Sequence, residues 1–364
     1  MSNPKVVEGS QKSSAQTAPR PLPVIFGIAG KSLDATEADF FAKANPLGFI
    51  LFARNCEYFD QVRRLVNELR QAIKRPDAPV LIDQEGGRVS RLPLPRWPQY
   101  PPARTFGSMY EKDPGWGEAA IRVYARLIAN ELRRMGITVN CAPVLDLFVD
   151  GASNAIGDRA YSRKPAVVTA LGRILAETFL ENGIMPVIKH LPGHGRLNVD
   201  PHMVSPVINA TRYEMENEDF LPFEALKDMP AGMNSHAIFT AFDPDAPASL
   251  SAKIHKDVIR GTLGFEGVMF SDDIVMKALH GTMAERAKNV LKAGADIALH
   301  CNGKLEEMET IAQALEPIND ASWARWERAK AMVKAPPATY NAAADSAQLD
   351  VLLGGLAYHA KSVG

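Results

Sequence analysis

Short apolar runs alternate with longer amphipathic stretches along most of the chain. Val24-Ile25-Phe26-Gly27-Ile28 precedes a polar-apolar helical pattern over 32–44, and Gly48-Phe49-Ile50-Leu51-Phe52 precedes an amphipathic stretch over 59–74 with apolar positions at 62, 65, 66, 69 and 73. The alternation continues with Val80-Leu81-Ile82, a long insert of prolines and aromatics over 92–107, a helix over 116–135, a strand over 137–142, a helix over 165–182 and a strand over 184–188. A helix over 213–229, Ala231-Gly232-Met233-Asn234, a further loop and helix, Gly267-Val268-Met269-Phe270, a helix over 283–293 and Asp296-Ile297-Ala298-Leu299 complete it, for eight strands. Because these strands are apolar nearly throughout rather than apolar at every second residue, they belong to a parallel sheet covered by helices, not to a sandwich. Eight such units predict an α/β fold: a single (β/α)8 TIM-like barrel. An open doubly wound sheet is the alternative, weakened by the lack of a GxGxxG turn.

Two further helical patterns, 305–315 and 322–333, followed by Ala335-Pro336-Pro337, are expected to wrap the barrel end as extra C-terminal helices. The barrel domain, with these helices, is therefore read as residues 23–364. Residues 1–22, rich in Ser, Gln, Ala and Pro and without the apolar core of a signal peptide, read as a disordered N-terminal tail.

Composition narrows the function. A chain of 364 residues that is 46% hydrophobic can bury a full core. Its formal net charge of −1 and lack of long basic runs remove the footprint of a nucleic-acid binder, and no stretch approaches the roughly 18 apolar residues that span a bilayer. A sugar or other small molecule is the better-suited partner. Cys56, Cys141 and Cys301 are odd in number and widely spaced, which gives neither a disulfide framework nor a thiolate zinc site; they read as small buried side chains in a reducing cytoplasm.

In a barrel, the residues directly behind each strand share one mouth. Here they are Asp83-Gln84-Glu85-Gly86-Gly87-Arg88, Asp146, Lys189-His190, Asn234-Ser235-His236, Ser271-Asp272-Asp273 and His300-Cys301-Asn302. A single charged residue at a strand end is usually just solvated, but a ring of them in register is a candidate active site. The segment from Lys189 to His202 stands out, because Pro192, Gly193 and Gly195 prevent a helix and gather three histidines, a lysine and Asp200 in one loop.

Two chemistries could use this set. Glycosidic hydrolysis needs a carboxylate nucleophile, either Asp272 or Asp273, a proton donor, and charged groups that grip sugar hydroxyls. Metal-assisted hydrolysis would use His190, His194, His202 and an aspartate, but Pro192-Gly193 keep His190 and His194 from sharing a helical face, and the metal reading is set aside. Adjacent strand residues point to opposite faces, so only one of Asp272 and Asp273 is expected to face the substrate. Pro201 disfavours a helical Asp200, and in an extended segment Asp200 can then orient the ring of His202. On spacing alone Arg91 and Arg159 could be surface ion pairs; set beside Asp83 they would form a hydroxyl clamp.

With these residues assembled, the chain resembles glycoside hydrolase family 3, specifically its single-domain bacterial β-N-acetylglucosaminidases of peptidoglycan recycling. The resemblance rests on Gly48-Phe49-Ile50-Leu51-Phe52-Ala53-Arg54-Asn55, on Asp83 through Arg91, on Ile156-Gly157-Asp158-Arg159-Ala160-Tyr161-Ser162, on Lys189-His190-x-Pro-Gly-His-Gly continuing to Asp200-x-His202, and on Phe270-Ser271-Asp272-Asp273. It implies a retaining exo-enzyme that needs no metal and no organic cofactor. It also implies Asp272 as nucleophile, His202 paired with Asp200 as acid/base, and Asp83, Arg91, Arg159, Lys189 and His190 as the residues that hold the N-acetylglucosamine ring. A monomer is the expected state. Two departures stand in the acid/base segment: Asp-Pro-His replaces the family's usual Asp-Ser-His, and Arg196 replaces an acidic residue often found after Gly195.

Overall fold

The computed structural model describes residues 19–197 and 206–354. Eight parallel strands close into a barrel in chain order: β1 (Leu22–Gly27), β2 (Pro46–Leu51), β3 (Val80–Ile82), β4 (Val139–Asn140), β5 (Met185–Leu191), β6 (Ala231–Asn234), β7 (Val268–Asp273) and β8 (Ile297–His300). β1 takes in Leu22, the last residue of the expected tail; residues 1–18 lie outside the described residues. The parallel pairing leaves no room for the open-sheet alternative, since β8 pairs back onto β1.

Two apolar cores follow from strand alternation. Ile25, Ile50, Leu81, Val139, Val187, Phe270 and Leu299 fill the inside of the barrel, whereas Val24, Phe26, Phe49, Val80 and Ile188 face outward against the helical layer. The end of the barrel at which the strands begin is closed by the helix Asp320–Met332. Its Trp326 and Ala329 join the inner core, and Ser322 and Arg325 both donate to Asp296, at the entry to β8. The opposite end, where the strands finish, stays open to the loops.

Local signals set the element ends. Asp34 caps the helix Ala35–Ala44 by accepting from the Glu37 amide, so this helix starts three residues later than the pattern alone implies. The expected helix over 213–229 is broken into Arg212–Glu214, Met215–Asp219 and Leu221–Ala225, with Pro222 in the last of these. β4 is only two residues long, and a side chain completes its link to β3: Asn140 Oδ1 accepts from the Gln84 amide and Asn140 Nδ2 donates to the Gln84 carbonyl, both at 3.0 Å. A helix that the sequence pattern did not mark, Ala342–Leu352, packs on Pro114–Arg134 through the bidentate Arg126–Asp345 pair.

Candidate active site

The open end holds a cavity of about 270 Å³, just below the roughly 300–1,000 Å³ range of ligand pockets and suited to one sugar unit. One wall is a chain of alternating charges. Arg91 Nη2 lies 3.3 Å from Asp83 Oδ2, and Asp83 Oδ1 accepts from Lys189 Nζ at 2.9 Å. Lys189 Nζ is also 2.7 Å from Glu85 Oε1, and Glu85 accepts two bonds from Arg159, Nε at 2.8 Å and Nη2 at 2.9 Å. Asp83, Arg91, Arg159, Lys189 and His190 all line the cavity. Burial pushes the carboxyls of Asp83 and Glu85 up, but Lys189 and Arg91 outweigh it at Asp83, and Arg159 and Lys189 outweigh it at Glu85, so both are held below the usual carboxylate range. Burial alone would favour neutral Lys189; Asp83 and Glu85 keep its ammonium charged. Five ionised groups thus face a single ring-sized space, with fixed donors and acceptors for hydroxyls.

Glu85 is the member that sequence reasoning missed. A carboxylate locked between two cations has no proton to give, so Glu85 is not an acid. Its work is to fix Arg159 and Lys189. A further strap holds the loop carrying Arg159: Arg88 Nε bonds Asp158 at 3.0 Å, and Arg88 Nη2 donates to the carbonyls of Asn154, Ala155 and Ile156.

Opposite the clamp stand Asp272 and Asp273, and both line the cavity. This corrects the expectation that only one would. The cause is a bulge: between Ile297 and Leu299 β8 advances two residues, while its partners on β7 run from Phe270 to Asp273. The two carboxyls nonetheless differ. For Asp272, burial is outweighed by His236, His190 and the Asp273 amide, and the carboxyl is held below its ordinary value. For Asp273, burial dominates and Asp272 adds to it, pushing the carboxyl up to about 7. Asp273 Oδ1 is also occupied, accepting from the amides of Val275 and Cys301 at 3.0 and 3.2 Å. Asp272 is the ionised carboxylate of the pair, the property a nucleophile requires.

A second register shift lies on β5, where Lys189 pairs with Met233 but Leu191 with Asn234. Lys189 and His190, though adjacent, therefore both reach the cavity. His190 Nδ1 donates to Asp146 Oδ2 at 2.6 Å, and the His194 amide donates to Asp146 Oδ1 at 2.8 Å. The rings of His190 and His194 stack, 4.0 Å apart and 16° from parallel. Burial, with His190 alongside, lowers His194 to about 3, so its ring is neutral at pH 7. His190 lies on a strand, so the two histidines share no helical face, yet Asp146, His190 and His194 still bring donor atoms within 4.8 Å of one another. Imidazole lone pairs lie in the ring plane, however, and two stacked rings do not aim theirs at a common ion. His190 is thus held on two sides, by Asp146 and by the His194 ring.

Asp200 and His202 lie outside the described residues. The stem leading to them is well held. Ser153 N–H donates to the Leu197 carbonyl at 2.6 Å, and Gly195 sits so close to the Leu147 backbone that a Cβ would come within 2.1 Å of its carbonyl oxygen. Arg196 pairs with the buried Asp219 at 2.7 Å and with Glu218.

An ionised aspartate facing a wall of alternating charges at a barrel mouth is an arrangement a glycosidase can use, and the comparisons point the same way. The sequence profile of the glycosyl hydrolase family 3 N terminal domain matches residues 25–330. The chain belongs to glycosyl hydrolase family 3. A beta-hexosaminidase of Nitrosomonas eutropha is 37% identical over 286 residues, 77% of this chain and 80% of its own, and one of Thioalkalivibrio sulfidiphilus is 36% identical over 85% of this chain and 90% of its own. The crystal structure of NagZ from Neisseria gonorrhoeae in complex with N-trifluoroacetyl-D-glucosamine superposes with a TM-score of 0.82 at 30% identity, covering 92% of this chain and 98% of that one. The protein is a glycoside hydrolase, and its relatives place it with the beta-hexosaminidases of the family.

Proposed function

We propose that the protein is a retaining exo-β-N-acetylglucosaminidase that removes terminal N-acetylglucosamine from peptidoglycan turnover fragments, GlcNAc-1,6-anhydro-MurNAc and its peptides, in the cytoplasm. The observation that carries it is the ionised Asp272 facing the Asp83–Lys189–Glu85–Arg159 clamp across a cavity sized for one sugar. A cavity of that size favours action at a chain end. Three free, buried cysteines accord with a reducing compartment. The N-acylglucosamine named in the gonococcal NagZ complex supports the choice of sugar.

In the first step an Asp272 oxygen attacks the anomeric carbon while the glycosidic bond breaks, and the departing oxygen takes the proton of His202, oriented by Asp200. In the second, water attacks the same carbon, gives its proton to His202 and releases the Asp272 carboxylate. The clamp holds the ring through both steps, and no cofactor enters either. Chromogenic N-acetylglucosaminide and glucoside substrates test the reading. The first should be hydrolysed in strong preference; equal or reversed preference points to another sugar specificity, and no turnover of either points to a catalytically silent sugar-binding barrel.

A further inference from the structure

Asn234-Ser235-His236, at the end of β6, lies between β5 and β7, and all three side chains are buried. None of them lines the cavity. Each instead reaches a neighbour that does. Ser235 Oγ is 2.9 Å from His194 Nδ1, on the β5 side. On the β7 side, the Asp272 amide donates to Asn234 Oδ1 at 3.3 Å, and His236 Nε2 lies 3.0 Å from the Asp273 carbonyl oxygen.

The last contact fixes the histidine's tautomer. A carbonyl oxygen only accepts, so Nε2 carries the proton, and Nδ1 accepts from Ser249 Oγ at 2.6 Å. Burial favours the neutral ring this requires. Asn234 is fixed likewise, its Nδ2 donating to His255 Nε2 at 3.0 Å. Ser271 closes the set, accepting from the Leu299 amide at 3.0 Å and donating to the Asp272 carbonyl at 2.8 Å. Backbone groups on both sides of the extra residue in β7 are therefore held by side chains, and the principal holders come from a different strand.

A strand's side-chain period is two, so a slip of one residue turns every side chain to the opposite face. Whatever pins the bulge decides which aspartate meets the sugar. We propose that Asn234 and His236 are positioning residues that hold the β7 bulge and thereby present Asp272, not Asp273, to the anomeric carbon. This rests on the reading of Asp272 as nucleophile, and the test separates the two.

The full-length enzyme and its variants are treated with a fluorosugar that traps the glycosyl-enzyme, the labelled peptide is mapped by mass spectrometry, and kcat/KM is measured in parallel. The wild type should carry label on Asp272 alone. His236→Ala and His236→Asn, which cannot reach the Asp273 carbonyl, should label more slowly and lose on the order of 10²-fold in kcat/KM, the effect of roughly 1 Å of misplacement. Their label should divide between Asp272 and Asp273. His236→Gln, whose amide nitrogen can replace Nε2, should recover most of the rate and the single site, and Asn234→Leu should divide the label as His236→Ala does. Undivided labelling of Asp272 at the wild-type rate in His236→Ala would overturn the proposal. So would equal losses in the Gln and Asn variants with a lowered Tm, which mark a packing role. Wild-type label anywhere but Asp272 overturns the nucleophile assignment itself.

Discussion

Glu85→Gln is the substitution for which the structure gives the largest calculable effect. The side chain is 6% exposed, and its partners Arg159 and Lys189 are 15% and 3% exposed, so solvent screens these pairs little. Glutamine keeps the shape but removes the charge, and its NH2 group must face a cation that has lost its acceptor. Asp83 then remains against Lys189, Arg159 and Arg91. Removing one partner of a buried pair costs about 3–5 kcal/mol. For a chain of this size that lowers Tm by roughly 4–7 °C. Arg159, left with the Ala155 carbonyl, and Lys189, left with Asp83, lose part of their fixed aim into the cavity, and kcat/KM should fall on the order of 10²-fold. A pH series adds a sign. The folded carboxyl of Glu85 lies below its unfolded value of about 4.3, so between the two the unfolded chain binds more protons and stability rises with pH. The contribution is complete above about pH 4.3 and is lost as pH falls through the folded value. Acid should therefore lower the wild-type Tm more steeply than that of Glu85→Gln. Thermal melts and steady-state rates at several pH values measure all three effects; a variant with wild-type Tm and kcat/KM would refute the clamp.

Two further outcomes are expected. Asp272→Ala should abolish turnover, whereas Asp273→Ala should leave part of it, and Asp273→Asn should move the alkaline fall of kcat/KM upward, since a carboxyl near 7 no longer ionises beside the nucleophile; the reverse order of losses would exchange their roles. His202→Ala should lose about 10²–10⁴ in kcat/KM on a natural disaccharide but far less on an activated aryl glycoside, whose leaving group needs no proton; equal losses on both would make His202 a binding or structural group.

The barrel was legible because its strands are apolar on both faces, a pattern that survives even where the ladder is short. β4 shows the limit: the apolar run covers 137–142, but only Val139–Asn140 pair as strand, and the Asn140 side chain takes over the next link to Gln84. The helix Ala342–Leu352 escaped notice because it follows Pro336-Pro337 and its Ala-rich sequence buries little beyond Asp345 and Leu349. At the site, Asp83, Arg159 and Lys189 could be named from strand ends and family motifs. The partner relations could not. Glu85 meets Arg159 from 74 residues away, and nothing local to either marks it as a brace rather than an acid. His190 and His194 show the converse error: a break that forbids a shared helical face still lets two rings stack, because Asp146 on a neighbouring strand's loop ties down both residues.

The alternation rule failed at Lys189-His190 and again at Asp272-Asp273, for one physical reason. Period-two alternation holds only while neighbouring strands advance in step, and these dipeptides sit where β5 and β7 each gain a residue on a partner. The sequence carries a trace of this. In a regular strand ending in two charged or polar residues, one would be turned into the apolar helical layer, where an unpaired polar group costs several kcal/mol. Neither Lys189-His190 nor Asp272-Asp273 could accept that cost, so the pair itself demands either that the strand has ended or that it bulges. Here the strands continue: β5 runs on to Leu191, and β7 through Asp273. The bulge is thus what lets one strand supply two consecutive groups to the same cavity, lysine and histidine from β5, and from β7 one carboxyl held below its ordinary value and one pushed up to about 7. That arrangement needs outside support, because each extra residue leaves backbone groups out of step with the neighbouring strand, and that support comes from β6, between the two bulged strands, through Asn234, Ser235 and His236.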